Sequence, residues 1–237
     1  MSHLFYGVAY YDEYMPEDRL AKDIALMRET GINVVRIAES TWSTLEPEEG
    51  QYNFYHIDRV LEAMHEAGIA VIVGTPTYAV PAWLAAKHPD ILVTTVAGQQ
   101  KYGPRQIMDI VNPTFRRYAE KIIRTLMAHV QHHPAIIGWQ LDNELNCEND
   151  RFYTESDTDA FREFLREKYQ TLDALNEAWG TVFWNQTYTD WEQIFVPRRT
   201  NTGSPNPHLM LDYFRFISDS VNRFANMQAE IIRQYKK

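Results

Sequence analysis

Met27-Arg-Glu-Thr-Gly31-Ile-Asn-Val-Val-Arg-Ile37 and Met64-His-Glu-Ala-Gly68-Ile-Ala-Val-Ile-Val-Gly74 are near copies of one pattern, 37 residues apart. In each, an amphipathic helix runs into a glycine suited to the left-handed position after a helix end, and a β-branched run follows at once. The spacing is about that of one strand–helix unit, so the pair predicts successive βα units. The flanking sequence extends the pattern. Phe5 to Tyr10 reads as an opening strand, and the first helix is expected near Pro16, with Glu17 and Asp18 in its first turn. The second helix is expected from about Tyr55. A long irregular stretch over 75–112 gives way to Asn112-Pro113, an N-cap and first helical residue for a helix reaching about Gln131. Ala135 to Leu141, bounded by Pro134, reads as a buried strand. Strands at roughly 5–10, 33–38, 70–75 and 136–142, each leading into helical sequence, mean parallel pairing and an α/β fold.

Beyond Glu144 the pattern changes. Residues 157–169 and 172–179 read as helices, the second ending at Gly180. Asn206-Pro207 opens a long helix with an apolar stripe at Leu211, Phe214, Ile217, Val221, Phe224 and Ile231. Val182-Phe-Trp184 and Ile194-Phe-Val196 are short and lie in turn-rich sequence, so no fifth strand is expected there. The chain's 237 residues approach the roughly 250 of a whole (β/α)₈ barrel, yet the units counted amount to only the first four. The expectation is one partial barrel domain over 1–237, with an irregular insertion around 145–206.

Composition narrows the partners. With 32 acidic against 23 basic residues, a net charge of −9 argues against nucleic acid, which needs clustered Lys and Arg. No apolar run approaches the ~18–20 residues of a spanning helix, and the N-terminal residues lack a signal-peptide layout. A cytoplasmic protein away from the membrane is therefore expected. Cys147 is the only cysteine, which excludes internal disulfides and multi-cysteine zinc sites. No metal or other cofactor is expected. His132 and His133 would point apart on a helix and read better as cations at its C-terminal end. Aromatics make up 13% of the chain, enough to furnish a core and still stack on sugar rings. Trp42, Trp83 and Trp139 read first as packing.

The chemistry concentrates in Trp139-Gln-Leu-Asp-Asn-Glu144, which sets an amide and a carboxyl at the C-terminal end of a buried parallel strand. Barrel enzymes hold their catalytic groups on that rim. A carboxyl at a cleft edge near aromatic rings is the type of group that serves as a general acid. Asn143 can donate to a hydroxyl or a charged oxygen, and Asp142 reads as a brace for a neighbour. Arg105 lies in an irregular segment, where ligand binding and a surface ion pair compete. Asp12, Glu13 and Glu39 fall near ends of the first two strands and read as structural.

Gly7-Val-Ala-Tyr-Tyr11, Arg36-Ile-Ala-Glu-Ser-Thr-Trp42-Ser-Thr-Leu-Glu-Pro47-Glu-Glu-Gly50, Thr75-Pro-Thr77, Pro81-Ala-Trp83-Leu84, Gly103-Pro-Arg105 and the 139–144 string together resemble family 42 glycoside hydrolases, the β-galactosidases. The blocks recur in the family's order from residue 5 to about 232. The resemblance implies a (β/α)₈ TIM barrel that cleaves terminal β-galactosides or galactose-bearing oligosaccharides with retention of configuration. By it Glu144 is the acid/base, Arg105 and Asn143 contact galactose, and Trp184 lines the pocket. It also implies a nucleophilic glutamate well downstream of the acid/base, for which this sequence holds no counterpart. The chain alone is therefore expected to be inactive, and to associate with itself or with a missing C-terminal half through open sheet edges. Two alternatives are a non-catalytic galactoside-binding or scaffold module, and a retaining β-glycosidase of other specificity.

Overall fold

The duplicated segments fold alike, and their helix ends are the same motif. In the first, Gly31 (φ 80°) donates to Arg28 O at 3.2 Å and Ile32 to Met27 O at 2.8 Å. In the second, Gly68 (φ 72°) donates to His65 O at 3.0 Å and Ile69 to Met64 O at 2.9 Å. Both are Schellman closures, which satisfy orphan carbonyls and turn the chain directly into the next strand.

The computed structural model describes residues 4–15, 17–103, 105–148, 152–198, 203 and 205–235. Its strands are β1 (Gly7–Ala9), β2 (Val34–Ile37), β3 (Ala70–Gly74), β4 (Thr94–Thr95), β5 (Gly98–Gln99) and β6 (Ile136–Gln140). The helices are α1 (Leu20–Glu29), α2 (Trp42–Leu45), α3 (Tyr55–Glu66), α4 (Ala82–Lys87), α5 (Pro113–Val130), α6 (Glu155–Tyr169), α7 (Leu172–Trp179) and α8 (Pro207–Tyr235). The chain divides into two compact units. The first comprises Met1–His88, Tyr118–Leu145 and Ala225–Lys237; the second comprises Pro89–Arg117 and Asn146–Phe224.

In the first unit, β1, β2, β3 and β6 form one sheet in that order, every pair parallel. Val35 and Ile37 of β2 and Val71 and Val73 of β3 are in register and buried, so one face of the sheet is a continuous β-branched layer. Alternation puts Arg36 and Ile72, also in register, on the opposite face. Gly7 is required by contact: a Cβ there would lie 2.3 Å from Val34 O. Ile123, Met127, Ile231 and Ile232 form a further apolar cluster, joined by Trp139 and Leu141. The first helix starts at Leu20, whose N–H donates to Asp18 Oδ1, rather than near Pro16, which lies outside the described residues.

The second unit has its own core, in which Phe161, Leu165, Leu175, Trp179, Ile194 and Tyr213 are fully buried. Asn112 accepts from the N–H groups of Thr114 and Phe115 at 2.9 and 3.0 Å, the expected cap of α5. Helix α6 begins at Glu155, two residues ahead of the expected start, because Thr154 and Asp157 close a reciprocal capping box. Residues 182–184 and 194–196 form no strand. Phe183–Asn185 and Trp191–Gln193 are 3₁₀ turns.

All four strands of the parallel sheet end on one side, and Gly74 fixes how closely two of those ends approach. A Cβ on Gly74 would sit 2.8 Å from Glu39 Cβ and 3.0 Å from Glu39 Cα and N. Two of these are backbone atoms that a rotamer change cannot move. Gly74→Ala is expected to cost about 1–3 kcal/mol by overpacking, read as a lower urea midpoint. An unchanged midpoint would show that β2 and β3 can separate there.

Candidate active site

The C-terminal ends of the first unit's strands carry a connected polar network. Arg36, on the open face of β2, reaches groups beside three strand ends. Its Nη2 donates to Tyr11 Oη at 2.8 Å and to Glu39 Oε1 at 2.9 Å. Its Nη1 donates to Gln140 Oε1 at 2.8 Å and lies 3.4 Å from Asn143 Oδ1. Tyr11 in turn donates to Glu39 Oε1 at 2.5 Å. Burial, and then the Glu39 carboxylate, hold the Tyr11 phenol above its ordinary range, so it remains a donor.

Asn143 belongs to this network, and Glu144, the next residue, is held by Tyr78. Gln140 Nε2 donates to Asn143 Oδ1 at 3.1 Å and to the Asp142 carbonyl at 2.5 Å. Two donors on Oδ1 orient the amide so that Nδ2 is directed away from Arg36 and Gln140. Tyr78, from the turn after β3, donates to Glu144 Oε2 at 3.0 Å. The segment itself is sharply bent: Asp142, Glu144 and Asn146 have φ of 55°, 44° and 67°. Such left-handed conformations in non-glycine residues cluster at functional sites. A carboxyl and an amide on adjacent residues just past one strand end are the groups that can donate a proton and a hydrogen bond to a polar ligand.

The other acidic candidates in this unit are committed elsewhere. Asp12 is buried, accepts from Tyr10 Oη at 3.2 Å and pairs with Arg59. Glu13 faces His56 Nε2 at 3.4 Å. Glu39 is 2% exposed and takes both of its donors on Oε1. Trp42 donates to Glu46 Oε2 and Trp83 to Glu46 O, each at 2.9 Å, which fits packing roles. His133 Nε2 faces Glu62 at 3.4 Å.

Arg105 and Trp184 belong to the second unit. Arg105 is exposed, and its Nε and Nη2 lie 3.2 and 2.9 Å from Glu148 Oε1, an ion pair within that unit. Trp184 is 78% exposed, has φ 53° and stacks on Phe183 at 4.8 Å between ring centroids. Among the described residues no group of three His, Cys, Asp or Glu side chains could hold a metal ion, and no helix is long and apolar enough to cross a membrane. Sequence reading missed the Arg36–Gln140 contact and Tyr78. An arginine inside a β-branched strand, with a glutamate three residues on, was the available signal for the first.

The family model described as beta-galactosidase, family 42 of the glycoside hydrolases, matches residues 9–237. A beta-galactosidase of Thermus thermophilus is 38% identical over 231 residues, 97% of this chain and 36% of the relative. Beta-galactosidase BbgII of Bifidobacterium bifidum is 35% identical over 98% of this chain and 34% of its own length. The crystal structure of beta-galactosidase from the psychrophilic Marinomonas ef1 superposes with a TM-score of 0.94 at 38% identity, covering 98% of this chain and 36% of that one. The chain thus spans about a third of the length of these relatives.

Beneath the Asn143–Glu144 pair lies the buried carboxyl of Asp142. Desolvation pushes its pKa up to about 6, against hydrogen bonds from Thr77 and the Asn143 N–H that favour the ionised form. Between the ordinary 3.8 and about 6, the folded chain therefore binds more protons than the unfolded one. Stability from this group is full at low pH and is lost as pH rises through that window, by up to about 3 kcal/mol. Asp142→Asn removes the titration. The thermal midpoint of Asp142→Asn is expected to exceed that of wild type at pH 7.5, with the gap narrowing by pH 4.5. A gap independent of pH would refute the burial argument.

Proposed function

The chain belongs to glycoside hydrolase family 42, and on that premise we propose that it forms the acid/base half of a retaining β-galactosidase of the (β/α)₈ TIM-barrel type, contributing the first four βα units. Glu144 protonates the glycosidic oxygen as the leaving group departs and later takes the proton from water. Asn143 donates to a galactose hydroxyl, and Arg105 and Trp184 are further galactose contacts. The observation that carries this reading is the oriented Asn143–Glu144 pair at a parallel strand end. For Arg105 and Trp184 the support is the family pattern of their segments.

Retaining cleavage needs a second carboxylate about 5–5.5 Å from the acid, to attack the anomeric carbon. The acidic groups described beside the strand ends are engaged in structural pairs. The nucleophile is therefore assigned outside these 237 residues. Without the covalent intermediate, one hard displacement is no longer divided into two easier ones. We place the protein in the cytoplasm, in keeping with a lone, exposed cysteine. Strand β1 is exposed along its whole length, and Leu4 and Phe5 before it are 83% and 63% exposed. An uncovered parallel edge of this kind favours association with another copy or with further residues of a longer protein.

Folded chain is expected to show no turnover of p-nitrophenyl β-galactoside while still binding galactose. Turnover that disappears in Glu144→Gln would place a nucleophile within the chain or across a dimer. Arg105→Ala is expected to weaken galactose binding ten- to a hundredfold, the loss of a charge-assisted hydrogen bond of about 1.5–3 kcal/mol. Unchanged binding would remove Arg105 from the site, and galactose binding by a chain with no recoverable activity in any assembly would favour the non-catalytic module. Mass by light scattering should rise with concentration, and a constant monomer mass would count against the edge argument.

A further inference from the structure

The left-handed turn that presents Asn143 and Glu144 is anchored from below by a side chain that faces away from solvent. Asp142 is 2% exposed. Its Oδ1 accepts from the Asn143 N–H at 2.7 Å, and its Oδ2 accepts from the Thr77 hydroxyl. Its own N–H donates to Thr75 Oγ at 2.6 Å, and its carbonyl accepts from Gln140 Nε2 at 2.5 Å. Thr75 passes its hydroxyl proton on to Gln228 Oε1 at 2.5 Å, from the C-terminal part of α8. The amide, the carbonyl and both carboxylate oxygens of one residue are thus bonded, by the segment following β3, by Gln140 of β6 and by the next residue's N–H.

We propose that Asp142 is a positioning residue for the acid/base site: anchored by Thr77 and Thr75, it holds the turn that carries Asn143 and Glu144 and touches no substrate itself. The inference rests on the reading of those two residues as galactose-binding and acid/base groups. Three observations support it. The turn contains non-glycine residues at positive φ, a strained conformation that persists only where surrounding contacts over-determine it. Asp142 supplies those contacts at the first bend, and aspartate is among the few side chains that tolerate the left-handed region. Its surroundings are neutral: Thr75, Thr77, Gln140 and the Asn143 amide are the groups bonded to it. A buried carboxyl in neutral surroundings is an expensive way to stabilise a fold, since an apolar side chain of similar volume would carry no desolvation penalty. Its retention is explained by the geometry it imposes two residues further on.

The substitutions separate positioning from stability. Asp142→Leu keeps the branched skeleton, with bulkier methyl groups in place of the oxygens, and removes both acceptors. Thr77→Val removes one donor without changing shape. Asp142→Asn keeps an acceptor for the Asn143 N–H and can donate its amide proton to Thr77 Oγ. In the isotope-labelled full chain, carbon shifts and amide couplings at residues 142–144 report the left-handed turn, and galactose titration reports the site. Asp142→Leu and Thr77→Val are expected to stay folded, lose the left-handed signature and weaken galactose binding at least about tenfold, while Asp142→Asn retains both. Across Asp142→Leu, Thr77→Val and Asp142→Asn, galactose affinity should follow the turn signature and not the thermal midpoint, a split that a merely structural role would not produce. A left-handed signature that survives in both Asp142→Leu and Thr77→Val overturns the proposal. A wild-type chain with the turn intact and no affinity for galactose overturns the functional reading instead, and the turn signature then decides the role of Asp142 alone.

Discussion

The guanidinium of Arg36 is the interaction on which the strand-end site of the first unit depends. It is partly buried on the open face of β2, with 30% of its side chain exposed, and reaches groups following β1, β2 and β6 from one planar fork. A lysine could not do this, because a single ammonium offers a point charge rather than donors splayed in a plane. One carboxylate, Glu39, balances the charge, and neutral oxygens of Tyr11, Gln140 and Asn143 accept from the two terminal nitrogens. Desolvating an arginine is unfavourable unless its donors are met, so each acceptor is drawn to a definite position. The consequence passes to Asn143, whose Oδ1 is turned toward the cation and whose amide nitrogen is turned away.

A second constraint acts on the same few residues from the opposite side. Positive φ at Asp142, Glu144 and Asn146 means that the strand cannot run on past Gln140. Backbone strain of this kind has to be offset by contacts that the turn alone can make. Arg36 and Gln140 supply them above, Thr75 and Thr77 below, and Tyr78 at the Glu144 carboxyl. The segment 75–78 matters for this reason. It follows β3, the strand paired with β6, so parallel register alone brings it beside residues 142–144.

Much of this fold was legible because its signals are local. Gly31 and Gly68 end helices for a reason contained within a few residues, as do the Asn112 cap and the β-branched runs of β2 and β3. The place of Asn143 and Glu144 was legible because a strand end is a fixed position in a parallel sheet, and Asp142 reads as a brace although it shares strand parity with Glu144. The Arg36 network was not, because its partners lie 104 and 107 residues away in sequence and meet only once β3 is inserted between β2 and β6. The same holds for Tyr78, which reaches Glu144 across 66 residues. The late start of α1 shows the limit of a local rule: Pro16 permits a helix, but the carboxylate of Asp18 decides where the first N–H is satisfied.

The two faces of the sheet divide the work of the chain. Val35, Ile37, Val71 and Val73 bury one face almost wholly, and that layer gives the strands their register. The other face gives up apolar burial at Arg36 and Gln140, which a purely structural sheet would fill with Val or Ile. Polar groups placed there weaken the core unless they bond one another, and a chain of hydrogen bonds runs from Tyr11 and Glu39 through Arg36 to Gln140 and Asn143, leaving the buried Arg36 Nε and Glu39 Oε2 outside it. The bonds that are made hold Arg36, Gln140 and Asn143 in a definite relation to one another. Every contact that orients Asn143 and Glu144 comes from residues of this chain. On the proposed assignment of Glu144 as acid/base, its bond from Tyr78 and the contacts that orient Asn143 need no second carboxylate, so the two catalytic groups of a retaining site can be supplied by separate stretches of polypeptide.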